Sequence, residues 1–167
     1  MNVYVTSLFD MPHYVRTLEP SHLISVIQPE YQPSTPAEIT VANHLRIQVH
    51  DISESTDGLI HPGEAHIRTL IEYLHDWQMD APLLVHCYAG ISRSTAAALI
   101  AHVIKKGDPE GAAIALRKAA PHARPNTLMV ALADDILGLG GRLIKAKQSM
   151  GEGVIGEDQG LVELSIA

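Results

Sequence analysis

The chain has 167 residues, 46% of them hydrophobic but only 4% aromatic, a length that suits one domain with a single core built on Leu, Ile, Val and Ala. The formal net charge of -7 argues against a broad electrostatic footprint for nucleic acid or an anionic membrane, so an anionic ligand would need a local positive site. The one cysteine rules out an internal disulfide, and neither a basic-then-apolar leader nor a bilayer-length apolar run is visible, so the expectation is a cytoplasmic domain with a free thiol.

Val3 to Thr6 reads as a strand and Met11 to Leu18 as a weak helix. His22-Leu23-Ile24-Ser25-Val26-Ile27 is a β-branched run ended by Pro29, and a loop carrying Pro29, Pro33 and Pro36 follows. From Leu45 to His50 apolar and polar residues alternate, as in a strand with one buried face. Ile67, Leu70, Ile71, Leu74 and Trp77 then fall at helical spacing, which predicts a helix from Gly63 to Gln78 with Pro62 at its start and Leu74 and Trp77 in the core.

Pro82-Leu83-Leu84-Val85-His86 is a nearly continuous apolar strand, the pattern of a sheet covered on both faces. A Gly-containing turn leads to the Ala-rich helix Thr95 to Lys105, stopped by Gly107. Asp108-Pro109-Glu110 supplies a cap, a first-position proline and a first-turn acid, predicting a helix to about Ala119. Asn126 caps another to about Leu137. Gly138, Gly140 and Gly141 then interrupt the pattern, and a short helix holds Arg142 to Gln148. The acidic, Gly-rich stretch 150–167 is expected to be a loosely ordered tail, apart from a docking of Leu161 to Ile166, behind a single domain over 1–149. Strands alternating with helices predict an α/β fold, a mostly parallel sheet flanked by helices, with ligands bound at the carboxyl ends of strands.

That is where His86-Cys87-Tyr88-Ala89-Gly90-Ile91-Ser92-Arg93-Ser94 falls, between a strand and a helix. Backbone N–H groups from Tyr88 to Ser92 and the helix N-terminus would converge on one point, a nest for an anion. Gly90 tolerates the unusual backbone angles of a tight loop. Arg93 can offer its planar fork to two phosphate oxygens at once. The same charges favour a thiolate at Cys87, which could displace an alcohol or phenol from a bound phosphate monoester. A lone cysteine in an apolar strand is more often a small core residue. Its place at a strand end, before Gly, Arg and a helix start, outweighs that reading.

The loop resembles the signature of the protein tyrosine phosphatase superfamily, nearest its dual-specificity branch and a compact bacterial type. Ile47-Gln48-Val49-His50-Asp51 resembles the strand that ends in that branch's general acid, and Pro125-Asn126 with Leu128 and Met129 resembles the helix start that buttresses the loop. The resemblance covers about 45–137 and implies the cysteine-phosphatase fold and a two-step reaction through a cysteinyl-phosphate. It implies Cys87 as nucleophile, Arg93 as phosphate clamp, Ser94 as the hydroxyl that assists loss of the thiolate, His86 as the residue that orients the loop, and Asn126 in support.

The leaving group needs a proton from a nearby carboxylic acid. Asp51 stands at the strand end the pattern points to, but farther from Cys87 than is usual. Asp57, followed by Gly58, has the usual spacing, so 52–56 looks like an insertion against one template or the other. Strand registry favours Asp51; the commoner role of either is a capping or solvated loop carboxylate.

The ten histidines lack metal-ligand spacing: His61 and His66, or His44 and His50, do not make an i, i+4 pair. Neither metal nor cofactor is expected. Arg117, Lys118 and Arg124 read as solvated charges. The expected partner is a phosphorylated protein or an aryl phosphate, with phosphotyrosine first and phosphoserine or phosphothreonine possible. A phosphoinositide is less favoured, because no Lys stands between Cys87 and Arg93. A phosphate-recognising module without turnover would usually have lost the Cys or the Arg, and arsenate reduction or sulfur transfer usually needs further thiols.

Overall fold

In the computed structural model, which describes residues 1–156 and 159–166, short strands alternate with helices as the sequence pattern requires. The strands are β1 (Asn2–Ser7), β2 (His22–Ile27), β3 (His44–Gln48), β4 (Leu83–Cys87) and β5 (Val162–Ser165). The α-helices are α1 (Met11–Leu18), α2 (Glu64–Asp76), α3 (Arg93–Lys106), α4 (Pro109–Ala119), α5 (Thr127–Ile136) and α6 (Arg142–Ser149). The strand order is β3-β2-β4-β1-β5. The first four strands pair in parallel, and β5 runs antiparallel along β1 at one edge.

Alternate residues of the strands serve two cores, since side chains on a strand point to opposite faces. Leu23 and Leu84 pack with Met11 and Val15 of α1 and with Ile39. Val3, Val5, Ile24, Val26, Leu83 and Val85 face the other way, against helices α2 to α6. All five residues of β4 are therefore buried. Helix α3 lies over the sheet and is flanked by α2, α4 and α5. Every residue from Arg93 to Val103 is buried, and the run of alanines lets neighbouring elements approach closely.

The helix boundaries follow local chemistry. Asp108 caps α4, its side chain accepting from the Gly111 N–H at 3.0 Å, and Pro109 takes the first helical position. Helix α2 begins one residue later than expected: Gly63 is its cap residue, Pro62 stands outside, and the Gly63 N–H donates to His66 Nδ1 at 3.0 Å. Leu74 and Trp77 are fully buried.

The tail begins as a bound segment. Arg117 donates to the carbonyls of Met150 (3.1 Å) and Gly151 (3.2 Å), and Arg124 to that of Glu152 (2.8 Å). These two arginines, expected to be solvated, are anchors for the backbone that leads toward β5. Glu157, Asp158 and Ala167, part of the stretch expected to be loosely ordered, lie outside the described residues. Among the described residues no helix is long and apolar enough to cross a membrane.

Candidate active site

Strand β4 ends at Cys87 and α3 begins at Arg93, so the loop between them closes over the carboxyl edge of the sheet. Gly90 adopts φ +73° there, and a Cβ on it would stand 3.0 Å from both the carbonyl carbon and oxygen of Thr6. A glycine is thus required twice, by the left-handed backbone and by the contact with β1. The loop is held from outside as well: Leu8 N–H donates to the Tyr88 carbonyl (3.1 Å), Arg124 N–H to that of Ile91 (2.9 Å) and Asn126 N–H to that of Ser92 (3.2 Å).

Cys87 is 2% exposed, with Sγ 3.0 Å from Ser94 Oγ. The Arg93 guanidinium is aimed by two acceptors on one nitrogen: Nη1 donates to Gln28 Oε1 at 2.7 Å and to the Val49 carbonyl at 2.9 Å. Its Nε is buried without a hydrogen-bond partner, an orphaned cationic donor of the kind a bound anion satisfies. His86 is fully buried, and burial holds it down at about 4 against the opposing pull of the Cys87 carbonyl. The ring is therefore neutral near pH 7.

Asp51 shares a cleft of about 410 Å³ with Gln28, Tyr31, Cys87, Tyr88 and Arg93. Its Oδ1 accepts from Ser92 Oγ (2.6 Å) and from Asn126 Nδ2 (3.1 Å), and Oδ2 takes part in neither bond. Asn126 also caps α5, accepting from the Met129 N–H at 3.0 Å, and donates to the Ile52 carbonyl at 3.2 Å. Asp57 is not brought to this cleft. The segment 51–59 is pinched at its base, where His50 N–H donates to the Ile60 carbonyl (2.7 Å) and Ile60 N–H to His50 Nδ1 (3.0 Å). Asp51 sits at that base, whereas Asp57 lies on the exposed turn before Gly58.

At the mouth, Tyr88 stands between Phe9 and Tyr31, with ring centroids 5.4 and 5.3 Å away. Ala89, Ile91 and Ser92 complete the wall. Sequence reasoning passed over Gln28 and Tyr31, because nothing local in a strand end or a Pro-rich loop reveals that it folds onto Arg93 or Tyr88. Taken together, the cleft can hold an oxyanion against Arg93 and the loop N–H groups, with a sulfur on one side and a carboxyl on the other.

No family model matches the chain, and no curated protein matches it. Solved structures match over most of its length. The crystal structure of DUSP15 aligns with a TM-score of 0.65 and 24% identity, over 93% of this chain and 94% of that one. Human DUSP28 aligns at 0.59 and 17%, over 89% and 92%, and PTPMT1 in complex with PI(5)P at 0.59 and 17%, over 83% and 94%. The fold is that of the dual-specificity cysteine phosphatases.

Proposed function

From that fold and the contents of the cleft, we propose that the protein is a phosphomonoester hydrolase that works through a cysteinyl-phosphate, acting on phosphotyrosine or more broadly on phosphoproteins. One observation carries the reading: Cys87, Asp51 and an Arg93 whose buried Nε lacks a partner share a single cleft. In the first step the Cys87 thiolate attacks phosphorus in line, the bond to the leaving oxygen breaks, and Asp51 gives that oxygen its proton from Oδ2. Arg93 and the N–H groups from Tyr88 to Ser92 hold the three remaining oxygens. In the second step Asp51 takes a proton from water, the water oxygen attacks phosphorus, and the S–P electron pair returns to Sγ. As that bond breaks, the Ser94 hydroxyl donates a hydrogen bond to the departing thiolate, across the 3.0 Å that separates the two atoms, and keeps its proton.

The aromatic rim supports a flat phenolic substrate, since the rings around Tyr88, Phe9 edge to face and Tyr31 tilted, offer apolar walls to another ring. A lipid phosphatase is the second reading, favoured by the likeness to the PTPMT1 complex and opposed by the missing Lys between Cys87 and Arg93. The test is hydrolysis of an aryl phosphate without added metal by wild type and Cys87→Ser. Activity lost in the variant is expected. An inert wild type that still binds phosphopeptides would point to a recognition module, and preference for phosphoinositides over phosphopeptides to the lipid reading.

A further inference from the structure

Behind the loop, on the α1 face of the sheet, a line of polar side chains runs inward from Thr35. Thr35 Oγ1 lies 2.8 Å from His44 Nδ1, and His44 Nε2 lies 2.8 Å from Ser25 Oγ. Ser25 Oγ lies 2.6 Å from His86 Nε2, and His86 Nδ1 lies 3.2 Å from the Cys87 carbonyl oxygen. Ser25, His44 and His86 are all buried. Strand register sets Ser25 of β2 directly beside His86 of β4.

Every proton in this line can be assigned. A carbonyl only accepts, so Nδ1 of His86 must carry the hydrogen at that end. With the ring neutral, Nε2 is a bare acceptor, and the single hydroxyl hydrogen of Ser25 goes to it. Ser25 must then accept from His44 Nε2–H. Burial, with help from Arg46, holds His44 at about 4, so this ring is neutral too, its Nδ1 is bare, and Thr35 donates to it. The opposite direction would set the bare Nδ1 of His86 against the lone pairs of the Cys87 carbonyl with no proton between them.

We propose that Ser25 and His44 are positioning residues of the active-site loop: a one-way chain of hydrogen bonds from Thr35 through His44, Ser25 and His86 holds His86 as its Nδ1–H tautomer and keeps the Cys87 carbonyl engaged behind the loop, leaving the N–H groups that follow to face the anion. The catalytic consequence rests on the phosphatase reading, whereas the chain of protons belongs to the resting protein. Two histidines in one line are thereby locked in opposite tautomers, and His86 holds the one that a neutral histidine side chain disfavours in water.

The test is a long-range ¹H–¹⁵N correlation spectrum of the histidine-labelled wild-type protein at pH 7. His86 is expected with hydrogen on Nδ1 and a bare Nε2, and His44 the other way round. His86 as Nε2–H, or His44 as Nδ1–H, overturns the proposal. In Ser25→Ala the Cys87 carbonyl still takes the Nδ1 hydrogen, so the tautomer is expected to hold while the bare Nε2 of His86 loses its donor and its nitrogen shift moves downfield. Alkylation of Cys87 by iodoacetamide at pH 7 should slow about fivefold, the factor carried by one hydrogen bond of ordinary net strength. Ser25→Thr should restore both. A folded Ser25→Ala protein with unchanged shifts and alkylation rate also overturns it, and loss of stability alone would not move the shift of one ring nitrogen in the folded protein. An inert wild type with both tautomers as assigned would sink the phosphatase reading and keep the relay. An active enzyme with either tautomer reversed would do the opposite.

Discussion

Asn126 donates from Nδ2 to Asp51 Oδ1 at 3.1 Å across 75 residues of sequence, and the same oxygen accepts from Ser92 Oγ. One side chain thus joins the loop after β3 to the helix that supports the Cys87 loop. The carboxyl group gains a fixed direction from it.

If Asp51 is the acid, Asp51→Asn lowers kcat by about a hundredfold or more on phosphates with poor leaving groups, and far less on those with good ones. Asp57→Asn is expected to leave both nearly unchanged. A leaving-group series on the two variants checks this. The reverse pattern would transfer the role to the loop tip.

Substitutions at Asn126 separate its two tasks. Asn126→Ala removes the cap of α5, costing about 1 kcal/mol, and frees Asp51. Asn126→Asp keeps a capping oxygen but loses both amide donors and sets a like charge beside Asp51, so it should lose stability by repulsion, less at pH 4 than at pH 7, while turnover of poor leaving groups falls. Urea unfolding and kinetics on the same samples decide. A stability loss in Asn126→Asp that is the same, relative to wild type, at pH 4 as at pH 7 would refute the division.

Ser94→Ala should slow the second step more than the first. Rapid mixing with an aryl phosphate is then expected to give a burst of phenol, with the cysteinyl-phosphate accumulating in intact mass spectra. A slower first step and no burst would remove Ser94 from its proposed part.

Gly90→Ala should strain the backbone at φ +73° and press a methyl group on the Thr6 carbonyl. A cost of about 1–2 kcal/mol from the left-handed conformation alone is expected, read as a lower Tm, together with lost activity. A variant as stable and active as wild type would show that the loop can relax.

His44 and His86, both held at about 4 mainly by burial, destabilise the fold in acid. An unfolded chain takes up these protons near pH 6.5, whereas the folded chain resists them until about 4. Stability should therefore be fully present above the unfolded value and fall as pH drops from about 6.5 toward 4. For His86 alone the loss approaches about 3 kcal/mol. Urea midpoints at intervals across that range test it, and a flat profile would contradict neutral buried rings.

What could be read from the sequence was what is local. Asp108-Pro109-Glu110 defines α4 residue for residue because cap, proline and acid act within one turn. The place of the Cys87 loop between a strand and a helix was legible for the same reason, being carried by nine consecutive residues. The partners of that loop were not. Gln28 meets Arg93, and Ser25 meets His86, only because β2 lies beside β4, and no short window reveals a β3-β2-β4-β1-β5 order. Spacing along the chain also left Asp51 and Asp57 open, because the distance to the cleft depends on the pinch between His50 and Ile60.

Strand β5 runs antiparallel to β1, and the Ile166 N–H donates to the Met1 carbonyl at 2.8 Å. Met1 and Ile166 therefore emerge side by side, while Cys87 pairs in register with Ser7 at the far end of β1, about 20 Å away along the strand. Anything tethered through either of these ends, whether a fused domain or a solid support, would attach at the edge of the sheet opposite the Cys87 cleft.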